Sequence, residues 1–315
     1  MKDGIIIVDK PPEWTSHDVV AKLRGALKIK RVGHGGTLDP MATGVLPIFV
    51  GRATRAAQFC ESADKEYIAG LKLGIVTDTQ DTTGKILSEC QTTISESELQ
   101  NTISNFLGAQ KQVPPMYSAI KQNGKKLYEL ARQGIEVERP PRDIFISEIE
   151  LLSGSHPVIA VEPVLNLIQK DQSPAEKGSI EGSDFLLRVA CSKGTYIRTL
   201  CHDIGASLGC GGVMSSLRRT AAGVFKIENA VSLEQILIHI SKNEYEKFLL
   251  PTDSIFSNFQ ALTLNEQDTK KCKNGVSCNI KNTIDGKYRV YAPDGEFLMF
   301  AEVVGDTLTM IKGFY

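Results

Sequence analysis

Gly33-His34-Gly35-Gly36-Thr37-Leu38-Asp39-Pro40-Met41-Ala42-Thr43-Gly44-Val45-Leu46-Pro47-Ile48-Phe49-Val50 carries a single acid among small and apolar neighbours. Two adjacent glycines reach backbone angles barred to other residues and let a ligand come close, while Pro40 fixes its own φ and pushes Asp39 towards extended geometry. The loop is therefore shaped, and what it presents is Asp39. An isolated Asp-Pro pair is a turn whose carboxylate caps its own backbone. This one asks for a further reason, because a His stands five positions before the acid and the loop runs straight into residues 45–50, an apolar segment of buried-strand character.

The chain around it, 315 residues and 34.4 kDa with 42% hydrophobic and 23% charged residues, is long enough to bury a full core and to divide into one large and one small domain. A net charge of −1 does not mark a nucleic-acid binder, so any RNA surface must come from local segregation of Lys and Arg. Residues 4–8 are the whole apolar run before Asp9, too short for a signal peptide or a membrane span, and the chain is expected in the cytoplasm. Seven cysteines, at 60, 90, 191, 201, 210, 272 and 278, are odd in number and form no CxxC pair, which argues against a disulfide framework or a structural zinc site. Cys272 and Cys278, six apart, are the close pair with a claim to metal; without two further ligands nearby, reduced buried thiols are expected.

Outward from the loop, residues 4–8 read as a strand ended by Asp9-Lys10-Pro11-Pro12. Ser16 is expected to cap a helix over 17–27 that puts Val19, Val20, Leu23, Ala26 and Leu27 on one face. Residues 52–63 predict a short helix, 67–73 a strand that returns Tyr67 towards the loop, and the Asp- and Thr-rich 78–84 a turn. Ser95 and Glu98 make a capping box for a helix that buries Leu99, Ile103 and Leu107 and stops at Gly108. Alternation of Phe185, Leu187, Val189 and Cys191 marks a half-buried strand. Residues 196–208 then predict a helix with Ile197, Leu200, Cys201, Ile204 and Leu208 inward and Arg198 off the core face near its first turn. Leu217-Arg218-Arg219-Thr220 follows as a basic segment, and a helix over 232–241 and a linker at 250–253 close the main domain. Short strands over 287–291, 296–304 and 307–313, separated by Asp294-Gly295 and Gly305-Asp306 turns, make a small β domain.

Residues 111–142 differ from the rest. They hold seven basic residues (Lys111, Lys121, Lys125, Lys126, Arg132, Arg139, Arg142) against three acids (Glu129, Glu136, Glu138), with Pro115, Tyr117 and Tyr128 among them. Cations neutralise phosphates and rings stack on unpaired bases, so the mixture suits a nucleic acid. The same composition also suits a solvated charged hairpin with one amphipathic helix.

Together these blocks resemble the bacterial tRNA pseudouridine synthases of the TruB family, enzymes that isomerise uridine 55 in the T-loop. The matching residues are Gly33-His34-Gly35-Gly36-Thr37-Leu38-Asp39-Pro40 and Ala42-Thr43-Gly44-Val45-Leu46-Pro47. Supporting blocks are Asp9-Lys10-Pro11, Thr15-Ser16, residues 65–67, Pro114-Pro115-Met116-Tyr117-Ser118-Ala119-Ile120-Lys121 and Ser192-Lys193-Gly194-Thr195-Tyr196-Ile197-Arg198-Thr199-Leu200. The resemblance covers residues 3–253 apart from one insertion. It implies an α+β pseudouridine synthase fold, a central mixed, largely antiparallel sheet flanked by helices, over a catalytic domain at 1–253. Within that domain, 111–142 is implied as an RNA-gripping thumb and 154–183 is a variable insertion; 254–315 takes the position of a small PUA-like β-barrel. One departure stands out: where the family pattern has Gly before Trp14, this chain has Glu13.

Converting uridine to pseudouridine breaks the N1 to C1′ bond, turns the base while it stays bound and joins C5 to C1′. No electrons, phosphate or metal are consumed, so no cofactor is implied. Asp39 is the implied catalytic group; an ionised carboxylate beside the sugar or C6 serves as nucleophile or as base at C2′, and both stay open. Such an acid in an apolar pocket needs a cation close by. The resemblance assigns that to Arg198, which by itself reads as a surface helix Arg paired with Asp203 or another local acid. Tyr67 is the implied platform for the flipped base and a candidate for moving the C5 proton. Tyr196 borders the same pocket, and Leu217, with Leu38 and Leu46, floors it and keeps water from an opened C1′. His34 is implied to fill the space left by the extruded nucleotide. Lys10, Lys121, Lys125, Lys126, Arg132 and Arg142 are the candidates for RNA contact. The implied partner is the tRNA T-stem-loop, with no guide RNA, membrane or obligatory protein partner. Two alternatives stand beside this reading: a module that grips and remodels the T-loop with catalysis secondary, and a relative that works inside a guide-RNA particle.

If residues 111–142 meet phosphates, replacing Lys125 and Lys126 with Gln reduces the slope of log affinity for tRNA against log salt by about 1 for each residue. Filter binding across a salt series measures it, and an unchanged slope assigns the segment to solvent.

Overall fold

A computed structural model describes residues 3–152 and 184–315; the insertion expected at 154–183 lies outside the described residues. The chain is α+β, a large mixed sheet flanked by helices and a curled five-stranded sheet near the C-terminus. It divides into two compact units, residues 1–63 with 221–315, and residues 64–220. No described helix is long and apolar enough to cross a membrane.

The first unit is built on strand β1 (Gly4–Lys10). Its run Ile5-Ile6-Ile7-Val8 is buried on both faces, which explains why it is continuously apolar and does not alternate. β1 pairs antiparallel along its whole length with β3 (Thr43–Val50), from Gly4 opposite Val50 to Lys10 opposite Gly44, and parallel with Val231–Ser232. The short β2 (Val32–His34) pairs with the other edge of β3. Helix α1 (Ser16–Leu27) starts one residue earlier than expected, and its cap is Thr15, not Ser16. Thr15 lies in extended backbone, its hydroxyl accepts from the Asp18 amide at 3.0 Å, and the Asp18 carboxylate accepts from the Thr15 amide at 2.9 Å. The Thr15 hydroxyl and amide hold the Asp18 carboxyl below its ordinary range, so the box is complete at neutral pH. The helix expected over 52–63 is a 3-10 turn, Gly51–Ala56, running into an α-helix, Ala57–Ser62.

The three strands expected near the C-terminus are present as Gly286–Tyr291, Phe297–Val304 and Thr307–Gly313. Two short outer strands, Gln260–Thr263 and Cys278–Asn279, and helix Glu266–Lys273 complete this sheet; four, two and eight mostly polar residues gave little periodicity to read. Leu250, expected in a linker, exchanges backbone hydrogen bonds with Ile5 at 2.9 and 2.8 Å. One apolar cluster accordingly joins Ile5, Ile7, Val45 and Phe49 to Phe256, Phe300 and Phe314. Phe256 is its centre, stacked on Phe300 at 4.3 Å between ring centroids and edge-on to Phe59 at 5.0 Å.

The second unit runs antiparallel from β4 (Lys65–Leu73) to Asp184–Cys191, Arg142–Leu152 and Gly108–Gln112. Gly212–Ala222, most of it in this unit, neighbours β4 on the other side. That strand was not expected. The basic segment Leu217 to Thr220 lies inside it, with Arg218 and Arg219 buried, because a turn through Gly209 and Gly211, both at positive φ, ends the preceding helix and starts a strand at once. A Cβ at Gly70 of β4 would run into the hydroxyls of Ser215 and Ser216, so the close approach of these two strands requires glycine. The Ser95–Glu98 capping box forms as expected, but its helix, Glu96–Ser104, ends before Leu107, which is 47% exposed. In the basic segment, Lys121–Gln122 and Lys125–Lys126 form a hairpin around Asn123-Gly124, both at positive φ, followed by helix Leu127–Ala131.

Phe256→Ala removes the ring on which the first unit's aromatic cluster is stacked. The expected cost is about 3–5 kcal/mol, read as a lower urea midpoint for the transition that includes this unit; a change under about 1 kcal/mol would mean the cluster closes over the gap.

Candidate active site

The Asp39 loop is the tip of the β2–β3 hairpin. His34 opposite Ile48 is the last strand pair, and the Gly35 amide adds a bond to the Pro47 carbonyl at 2.9 Å before the chain departs. A Cβ at Gly35 would stand 2.7 Å from both the Phe49 ring and the Cys60 sulfur, which makes glycine obligatory there. At the tip, the Ala42 amide donates to the Asp39 carbonyl at 3.1 Å, closing the Asp39 to Ala42 turn. Asp39 is half-buried and lies between two anchored neighbours.

Ser16 supplies the first anchor. Freed from capping by Thr15, its buried hydroxyl accepts from the Leu38 amide at 2.8 Å and donates to the Leu38 carbonyl at 3.2 Å. Lys10 supplies the second. Expected at the phosphates, it is instead fully buried at the end of β1, and its Nζ donates to the Pro40 carbonyl at 3.1 Å and the Pro11 carbonyl at 2.8 Å. A buried ammonium needs such acceptors, and satisfying them under the loop turns this lysine away from solvent. Glu13 turns the chain between these two anchors with φ 66, a left-handed conformation that glycine adopts more readily than glutamate. His34 is half-buried; its Nδ1 accepts from the Gly36 amide at 3.3 Å, and its ring meets that of His17 edge-on at 5.1 Å.

In the second unit Arg198 is buried, not off the core face as the helical pattern of Ile197–Ser207 suggested. A wheel sees only the helix, whereas residues 79–81 and Tyr117 cover its first turn. The guanidinium donates to the carbonyls of Tyr117 at 2.8 Å and Thr79 at 3.1 Å and lies 3.7 Å from the buried Asp81 carboxylate, not at Asp203. Asp81 is fixed in turn by the hydroxyls of Thr79 and Thr83 at 2.8 and 2.6 Å and the Thr83 amide at 3.0 Å. Sequence reasoning saw only a turn here; the alternation of Asp and Thr over 78–83 was the available signal. Tyr196 caps the same helix, its amide and carbonyl gripped by the Gln112 side chain at 2.8 and 3.1 Å. Tyr67, opposite Val189 on β4, and Leu217, on the neighbouring strand, are both largely buried.

Lys121, Lys125, Arg132 and Arg142 are exposed. Lys126 is half-buried, its Nζ on the Tyr128 hydroxyl at 3.2 Å, and the Arg132 guanidinium lies 5.4 Å from the centre of the same ring. Burial, with Asp78 beside it, pushes the Tyr117 phenol above its ordinary pKa and keeps it neutral.

Two family profiles match this chain end to end of one another: TruB family pseudouridylate synthase (N terminal domain) over residues 24–197, and tRNA pseudouridylate synthase B C-terminal domain over residues 198–257. The chain is 43% identical over 302 residues to the tRNA pseudouridine synthase B of Syntrophomonas wolfei, covering 95% of this chain and 93% of that one. To the protein of the same name from Clostridium acetobutylicum it is 39% identical over 315 residues, covering 98% and 99%. Among solved structures, a chain from a Cbf5-Nop10-Gar1 complex superposes with a TM-score of 0.70 at 26% identity, over 99% of this chain and 85% of that one.

Ser16→Ala deletes one anchor of the loop. With about 0.5–1.5 kcal/mol lost per hydrogen bond, amide exchange in residues 36–42 is expected to quicken roughly 3- to 10-fold, measured by hydrogen–deuterium exchange with mass analysis. Unchanged protection there would mean that the anchor does not hold the loop.

Proposed function

Because the chain belongs to the TruB family of pseudouridylate synthases, we propose that it is the isomerase that forms pseudouridine at uridine 55 in the T-loop of tRNA, with Asp39 as its essential group. Pseudouridine formation in tRNA is the activity its relatives are named for, at about two residues in five identical over nearly the whole chain. The observation that carries the finer reading is the grip of Ser16 and Lys10 on the residues either side of Asp39. A fold that spends a buried serine and a buried lysine on Leu38 and Pro40 supports a preorganised carboxylate between them.

In this reading the target base leaves the T-loop stack, Asp39 acts at the sugar or at C6, and Tyr67 replaces the lost stacking. Arg198 keeps Asp39 ionised, and Asp81 is the positioning residue that holds Arg198. His34 takes the place of the extruded nucleotide, Tyr196 and Leu217 line the pocket, and the thumb at 111–142 grips phosphates through Lys121, Lys125, Lys126, Arg132 and Arg142. Residues 1–253 form the catalytic domain and 254–315 a PUA-like addition. The enzyme acts in the cytoplasm on tRNA without a guide RNA or a protein partner.

Three measurements bear on this. Asp39→Asn is expected to abolish tritium release from tRNA labelled at uridine C5 while leaving tRNA affinity within a few-fold; full release would remove Asp39 from the chemistry. Arg198→Gln is expected to move the acidic limb of the pH–rate profile to higher pH, since losing the cation raises the pKa of the carboxylate it holds ionised. Mapping the product nucleotide after incubating the pure protein with one unmodified transcript decides the position, and a need for added RNA would favour the guide-dependent alternative.

A further inference from the structure

Cys272 lies in the last turn of helix Glu266–Lys273, and Cys278 opens the strand Cys278–Asn279, which pairs with Thr307–Gly313. Both thiols are buried, and their sulfurs are 3.3 Å apart, one donating to the other. The turn between them is held without any covalent link. The Gly275 amide donates to the Cys272 carbonyl at 2.9 Å, the Val276 amide to the Lys271 carbonyl at 3.0 Å, and the Tyr315 hydroxyl to the Cys272 carbonyl at 2.8 Å. The backbone therefore keeps the two sulfurs together whatever their oxidation state. A disulfide asks them to close to about 2.0 Å. Beside Cys272 is a partly open cavity of about 120 Å³, lined also by Val276, Ser277, Met299, Leu308 and Met310 and not by Cys278, which makes Cys272 the nearer of the two to an entering reagent.

We propose that Cys272 and Cys278 form a reversible dithiol–disulfide couple, a redox modification site of the C-terminal sheet that closes residues 272–278 into a covalent ring. The co-reactant is a low-molecular-weight disulfide. The Cys272 thiol loses its proton and attacks one sulfur of that disulfide, expelling one small thiolate and leaving a mixed disulfide. The Cys278 thiol then loses its proton and attacks the Cys272 sulfur, releasing the second small thiolate. Two protein thiols are oxidised by two electrons, the small disulfide is reduced to two thiols, and these take up the two protons. Burial, and then the hydrogen bond to Cys278, push the Cys272 thiol up to about 12. The Cys272 thiol therefore rests neutral, and because its exchange runs through the thiolate its rate rises about tenfold per pH unit from 7 to 9.

The test equilibrates the full-length protein at about pH 8.5 in mixtures of reduced and oxidised glutathione, followed by acid quench, alkylation and tryptic digestion without reductant. Cleavage after Lys271, Lys273 and Lys281 separates the two cysteines. The expected result is one species joining peptides 272–273 and 274–281, lighter than their sum by the two lost hydrogens, parted by dithiothreitol and absent from Cys272→Ser. Its formation rate is expected to climb tenfold per pH unit. Alkylation of both Cys272 and Cys278 at the most oxidising ratio, a glutathione adduct that never resolves, or linkage of either residue to Cys60, Cys90, Cys191, Cys201 or Cys210 would overturn the proposal.

Discussion

The structure depends on how a single loop is held from both sides. Asp39 sits at the tip of a hairpin, where a seven-residue excursion would ordinarily be the most mobile part of the chain. What stops it is a serine hydroxyl on the carbonyl and amide of residue 38 and an ammonium on the carbonyl of residue 40. Both anchors come from the first sixteen residues, so β1 and the start of α1 exist in their observed form largely to deliver them. Thr15 takes over capping and releases Ser16; Glu13 accepts a left-handed backbone so that the chain turns sharply enough between the two. The outcome is an acid whose backbone is fixed through both of its neighbours.

The second unit shows a related economy with charge. Arg198 is desolvated, which is costly unless its donors are satisfied, and the fold satisfies them with two carbonyls and a carboxylate that is itself held by two threonine hydroxyls. Its orientation is thus set by a network of short polar side chains, and the planar guanidinium suits that role better than a lysine would. The basic hairpin at 121–126 is the opposite case. Lys121 and Lys125 stand in solvent beside a two-residue Asn-Gly turn, available to an anionic partner and adding little to the fold.

Much of this was legible beforehand because local chemistry and tertiary structure agreed. The apolar run of β1, the Ser95–Glu98 box, the strand containing Phe185 to Cys191 and the three C-terminal strands follow from periodicity and turn residues alone. The misses share a cause: long-range packing decided them. Ser16 carries the signature of a cap, and only its bond to Leu38, 22 residues on, shows that Thr15 does that work. Lys10 read as an RNA contact, Arg198 by itself as a surface charge, and Arg218 and Arg219 only as part of a basic segment, because polarity is a property of the residue, whereas burial is a property of what covers it. Leu107 erred the other way, since its helix ends three residues before it.

One consequence concerns the order in which the chain is made. β1 emerges from the ribosome some two hundred residues before its partners Val231–Ser232 and Leu250, and its apolar side chains share a cluster with Phe256, Phe300 and Phe314. The oldest strand must wait, exposed or shielded, for the youngest. A nascent chain that stops short of Leu250 therefore holds the Asp39 loop while β1, the strand behind it, still lacks partners and cover.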